Sequence, residues 1–97
     1  MASYVAIYPQ PVAADQGNDP NIALGLIVDD GSRTVVLGDI PAREDVDYDI
    51  EGLKRGDPDE RLRYLCRIFL WWRVEGPIPF EGTADDAAPV LNRMYFG

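Results

Sequence analysis

Asp45, Asp47, Asp49 and Glu51 place four carboxylates at alternate positions, with Val46, Tyr48 and Ile50 between them. Three kinds of chemistry are open to such a row. Calcium binding is the first, because Asp45-x-Asp47-x-Asp49 has the spacing of the first three ligands of an EF-hand loop. That loop also needs Gly at its sixth position and Glu at its twelfth, to turn the chain and close the shell. Ile50 and Gly56 stand there instead, so no specific calcium site is expected. Acid–base catalysis by two carboxylates is the second, and it requires a cleft that shifts one of the two pKa values. A chain of 97 residues has little depth for one. Recognition by charge is the third. On a strand every second side chain points the same way at intervals of roughly 6.6–7 Å, comparable to successive phosphates along a nucleic-acid strand. A basic groove could accept the row, although charges on a solvent-facing edge strand also guard against aggregation.

Other chemistry is scarce. The chain contains no histidine, which removes the usual general base, the usual zinc ligand and the middle member of most nucleophilic triads. Cys66 lacks such a partner and falls on an apolar helix face, where a buried structural thiol is expected. Val36-Leu37-Gly38-Asp39 comes nearest to a phosphate loop but lacks the later Gly and Lys. The expected protein is therefore not an enzyme and holds no cofactor and no metal.

The elements that position these residues read as an α+β domain. Tyr4 to Tyr8 is a short β-prone run stopped by Pro9 and Pro11, and Val12 to Asn21 reads as a loop. Ile22–Val28 and Arg33–Leu37 form a hairpin around Asp29-Asp30-Gly31-Ser32, since Asp-Gly suits the positive φ of a tight turn. Gly25 is expected to mark a bulge in the first of these strands. Strict alternation makes Asp45–Glu51 a half-buried strand with Val46, Tyr48 and Ile50 inward. Asp57 as N-cap, Pro58 in the first turn and the acids Asp59 and Glu60 start a long helix. It is expected to run to about Val74 and stop at Gly76-Pro77. A shorter helix occupies part of Asp86–Tyr95, with Pro89 in its first turn. The sum is one domain over residues 1–97, with a three- or four-stranded, mainly antiparallel sheet, one long helix packed on a face and a short C-terminal helix.

The long helix presents two apolar stripes. Leu62, Leu65, Cys66, Phe69 and Trp72 should cover the sheet, while Tyr64, Ile68 and Trp71 lie displaced around the cylinder. Only a narrow wedge with Glu60, Arg63 and Arg67 is polar. The second stripe needs a cover of its own. The C-terminal segment could supply it through Val90, Leu91, Met94 and Tyr95; so could a partner chain or a second copy in a homodimer. Tyr64, Ile68 and Trp71 therefore join the acidic row as candidate protein-binding residues.

Seventeen acids and nine bases leave a net charge of −8. Direct binding to nucleic acid or an anionic membrane is disfavoured by such a surface, and a basic partner protein is favoured. The charge is also polarised: residues 39–60 carry a local −6 and residues 61–73 a local +4. A single cysteine rules out an intramolecular disulfide, and Met1-Ala2-Ser3-Tyr4 has none of the features of a signal peptide. The longest uninterrupted apolar run, Ile68–Trp72, is far short of a membrane span. A cytoplasmic address follows as the expectation.

In size, acidity and lack of a catalytic motif the chain resembles the small acidic inhibitors that phages and mobile elements encode against host defence, notably anti-CRISPR proteins. Those proteins share no sequence motif, so no residue role carries over. The resemblance implies an inhibitor that binds a Cas protein or complex in the host cytoplasm, in some cases by imitating nucleic acid. Two other readings fit the same features. One is an immunity-protein or antitoxin-like inhibitor that plugs a basic toxin site. The other is a structural or assembly protein that oligomerises through its apolar helix.

Overall fold

A computed structural model describes residues 1–9, 21–40, 56–69 and 73–97, apart from the side chains of 68 and 69. Six elements follow in order: β1 (Ala2–Tyr8), β2 (Gly25–Asp29), β3 (Thr34–Gly38), α1 (Pro58–Phe69), β4 (Arg73–Phe80) and α2 (Ala84–Phe96). The strands form one antiparallel sheet in the order β3-β2-β1-β4. The architecture is α+β, as the sequence indicates. The expected strand at Asp45–Glu51 lies outside the described residues, as do Trp71 and Trp72.

Two separate cores show how the layers stack. Ala2, Tyr4, Ala6, Leu26 and Val28 pack with Ala84, Ala87 and Leu91 of α2. Val5, Ile7, Ile27 and Ile40 pack with Leu62 and Leu65 of α1. Alternate residues of β1 and β2 thus feed opposite cores, and the sheet is sandwiched between one helix and the other. Strands covered on both faces are apolar at consecutive positions, which is why Leu26-Ile27-Val28 shows no alternation.

Several expectations are corrected. The helix assigned to residues 58–74 is the 12-residue α1, and Arg73 already belongs to β4. Gly76-Pro77, expected to stop that helix, lies inside the strand with a cis peptide bond. The ladder beside it shifts register, since Tyr4 faces Ile78 but Ala6 faces Glu75. The extra residue on β4 puts Glu75 and Ile78 on the same face, so the period-two pattern is lost. Prolines 77 and 79 are tolerable because β4 is an edge strand.

The C-terminal helix has 13 residues and is not the shorter of the two. Thr83 is its N-cap, which puts Pro89 in the second turn instead of the first. Because α2 packs on the opposite side of the sheet from α1, Val90, Leu91, Met94 and Tyr95 do not cover Tyr64, the described member of the second stripe, which is exposed. Gly25 keeps regular register with Ile7 and Gly38, so there is no bulge there. Its missing side chain makes room for Ile40 and the Leu37 carbonyl.

Candidate protein-binding surface

Both helices begin at the end of the sheet where the β2–β3 hairpin turns, and two consecutive acids fasten them. Neighbouring residues at a strand end point to opposite faces. Asp29 therefore turns toward α1 and is almost wholly buried. One of its carboxylate oxygens accepts from Arg61 Nε at 2.8 Å and from the Gly31 N–H at 3.1 Å. The other accepts from Thr34 Oγ1 at 2.6 Å. Arg61 also donates to Thr34 Oγ1 at 3.3 Å, and beside this group Ser3 Oγ donates to Asp59. A buried ion pair is tolerable only when its remaining hydrogen-bonding capacity is met in this way.

Asp30 turns the other way. It accepts from the N–H groups of Ser32 (2.9 Å) and Arg33 (2.8 Å), and from Ala84 at 2.9 Å, so the hairpin caps the first turn of α2. Burial raises the Asp30 pKa, but these three backbone donors outweigh it and bring the carboxyl below its ordinary value. Gly31, at φ 88°, supplies the left-handed step that lets the turn close. Thr83 and Asp86 complete a reciprocal capping box at 3.1 and 3.2 Å. Arg33 reaches Asp85 at 3.0 Å across the exposed rim.

The result is an acidic pole. Asp57, Glu60, Glu81, Asp85 and Asp86 are exposed there, around the more enclosed Asp29, Asp30 and Asp59. Among the described residues, the positive charges nearby are Arg33, the exposed Arg63 beside Glu60 on the outer face of α1, the buried Arg61 and the α-ammonium of Met1. Helix dipoles favour acids in first turns, which accounts for part of the clustering. The opposite end carries Arg67 and Arg93 in the last turns of α1 and α2, and Arg73 at the start of β4. Arg73 lies 4.6 Å over the Tyr8 ring and 3.6 Å from Glu75, to which Tyr8 also donates at 3.3 Å. Among the described residues charge is thus arranged along the strand direction, with Arg61 of the basic stretch 61–73 on the acidic side and most of the acidic stretch 39–60 outside the described residues.

The candidate residues of the sequence reading fare unequally. Asp45, Asp47, Asp49 and Glu51 lie outside the described residues, as do Trp71 and the side chain of Ile68. Tyr64 is exposed, with the Arg67 guanidinium 5.9 Å from its ring centre. Glu60, Arg63 and Arg67 line an open hollow on the outer face of α1. Cys66 is half-buried against the α1-side core, and burial pushes its thiol up to about 11, which keeps it protonated. Val90 and Met94 form an exposed apolar flank on α2. The acidic pole itself was missed, although Thr83-x-x-Asp86 is a capping-box pattern visible in the sequence.

Among the described residues no helix is long and apolar enough to cross a membrane. Compared with protein-family models, with curated proteins and with solved structures, the chain has no significant match.

Proposed function

We propose that this protein is a non-enzymatic inhibitor that binds a basic, nucleic-acid-binding protein, in the manner of anti-CRISPR and other anti-defence inhibitors. The observation that carries this reading is the concentration of exposed acids at one end of the molecule. Among the described residues Glu60 and Glu81 make no hydrogen bond or ion pair, and Glu60 serves there as a first-turn acid of α1. A one-ended charge orients an approaching basic surface and raises the association rate more than the same charge spread evenly. The basic host protein, the cytoplasmic setting and the lack of a cofactor belong to the same proposal. So do the acidic row Asp45–Glu51 and Tyr64, Ile68 and Trp71 as further contacts.

The test is affinity capture from a bacterial lysate on the immobilised protein, at about 0.05 and about 0.5 M salt, with and without competing duplex DNA. The proposal expects nucleic-acid-binding proteins to be retained at low salt and displaced by DNA. It also expects them to be lost on the Glu60→Gln, Glu81→Gln, Asp85→Asn variant. Retention of proteins indifferent to salt, DNA and the variant would refute it.

A further inference from the structure

The side of α1 that faces away from the sheet carries four exposed side chains. Arg61, Leu62 and Leu65 are buried and Cys66 is half-buried, whereas Glu60, Arg63, Tyr64 and Arg67 are exposed. Those four recur at i, i+3, i+4 and i+7, the spacing of one helix face. Glu60, Arg63 and Arg67 line an open hollow there, and the Arg67 guanidinium lies 5.9 Å from the centre of the Tyr64 ring. Other arginines are held by acids: Arg33 by Asp85, Arg61 by Asp29 and Arg73 by Glu75. Among the described residues Arg63 and Arg67 have no such acid, and Glu60 has no base.

The order of charges along this stripe decides what fits it. An anionic ligand would suit Arg63 and Arg67 but would also meet Glu60. A basic ligand would suit Glu60 and meet the two guanidinium groups. A fitting partner carries acid and base in the opposite order at the same spacing, and this helix run antiparallel to itself does so.

We propose that a second copy of this chain docks its α1 antiparallel on this face, about a two-fold axis passing between Arg63 and Tyr64. Glu60 then stands opposite Arg67 of the second copy, and Arg63 opposite Tyr64 of the second copy. Symmetry repeats both pairs. The first is an ion pair, and the second sets a guanidinium over an aromatic face. The acidic first turn of each helix comes beside the basic last turn of the other, as their dipoles favour. At a net charge of −8 two copies repel each other overall. They meet most easily on a face like this one, where two guanidinium groups outnumber one carboxylate. The two acidic poles point to opposite ends of the pair, each open to a basic partner. The contact is isologous, so it closes at a dimer. It covers two turns of each helix, which places it among small, transient interfaces.

The test is the mass in solution by sedimentation velocity, from about 10 µM to about 1 mM. The proposal expects a species of twice 10.8 kDa to grow with concentration. Arg67→Glu and Glu60→Arg each turn two attractions into repulsions and should weaken self-association about tenfold. The double variant restores both pairs and should recover it. Should a charge reversal fail to fold, the neutral variants decide. Arg67→Gln should weaken self-association about threefold, whereas Arg93→Gln, which removes the same charge at the same end but on α2, should leave it unchanged. Arg67 and Arg93 lie away from the acidic pole, so this comparison stands or falls apart from the capture of a basic partner. A parent chain that stays single at every concentration overturns the proposal. So does a folded double variant no tighter than the single ones, or an equal effect of Arg67→Gln and Arg93→Gln.

Discussion

Asp29 and Asp30 are adjacent in the chain and nearly identical in chemistry, yet the two sides of the sheet use them differently. Asp29 is sealed beneath α1 and paired with Arg61 at 2.8 Å, so α1 is fastened by a buried charge with a matched partner. Asp30 sits at the rim and fastens α2 through backbone N–H groups alone, backed by the Thr83–Asp86 box. The α2 side adds an aromatic contact: Tyr4 and Tyr95 meet edge to face at 6.0 Å, with their hydroxyls 3.2 Å apart. One attachment is thus intolerant of losing a partner, and the other is distributed over several weaker contacts. The comparison also sorts the acids of the pole. Asp29, Asp30, Asp57, Asp59, Asp85 and Asp86 take part in hydrogen bonds or ion pairs, whereas Glu60 and Glu81 make none among the described residues.

The largest effect should come from breaking the sealed pair. Arg61→Ala leaves the Asp29 carboxylate buried without its cation and should cost about 3–5 kcal/mol in urea unfolding. A loss below about 1 kcal/mol would mean that water reaches Asp29 and that the contrast between the two sides is false.

Asp30→Ala should cost less, about 1–2 kcal/mol, because it removes the acceptor for the Ala84 N–H and for two turn amides. It should also change the pH dependence. The folded chain holds the Asp30 proton less tightly than the unfolded chain, so its contribution is complete above the ordinary value of 3.8. That contribution fades as pH falls through the lower folded value. Urea midpoints measured from about pH 5 down to about pH 2.5 should therefore converge for parent and variant at the acid end. Parallel curves would deny the shift.

Thr83→Ala should cost about 1 kcal/mol as a lost N-cap. Arg33→Ala, at an ion pair exposed on both sides, should cost under about 1 kcal/mol and less still in high salt. Thermal melts at low and high ionic strength separate these two, since only the second effect is screened.

The legible parts of the fold are those with local signals. The β2–β3 turn follows from Asp-Gly, and the start of α1 from Asp57, Pro58 and the acids after them. β4 was hidden because its extra residue cancels the alternation and because its prolines read as a helix stop. The face on which α2 packs was hidden too. Leu26-Ile27-Val28 and Val5-Ala6-Ile7 are apolar at every position, so nothing local says that there are two cores and not one. The acidic pole was beyond a linear reading for a different reason. It gathers residues 29–30, 57–60 and 81–86, which only the strand order and the common direction of the two helices bring together. A running charge average instead finds residues 39–60.

The most direct measurement is the association rate of the parent and of the Glu60→Gln, Glu81→Gln, Asp85→Asn variant with a protein recovered by affinity capture, followed across ionic strength. The variant leaves Asp29, Asp30 and the capping box intact and gives up the exposed Arg33–Asp85 pair and two first-turn charges, so it should stay folded and lose only about 1 kcal/mol of stability. An acidic pole that steers binding predicts a parent rate about tenfold faster at low salt, with the two rates converging as salt rises. Equal rates at every salt concentration would contradict it and leave the acids at this end to the fold alone.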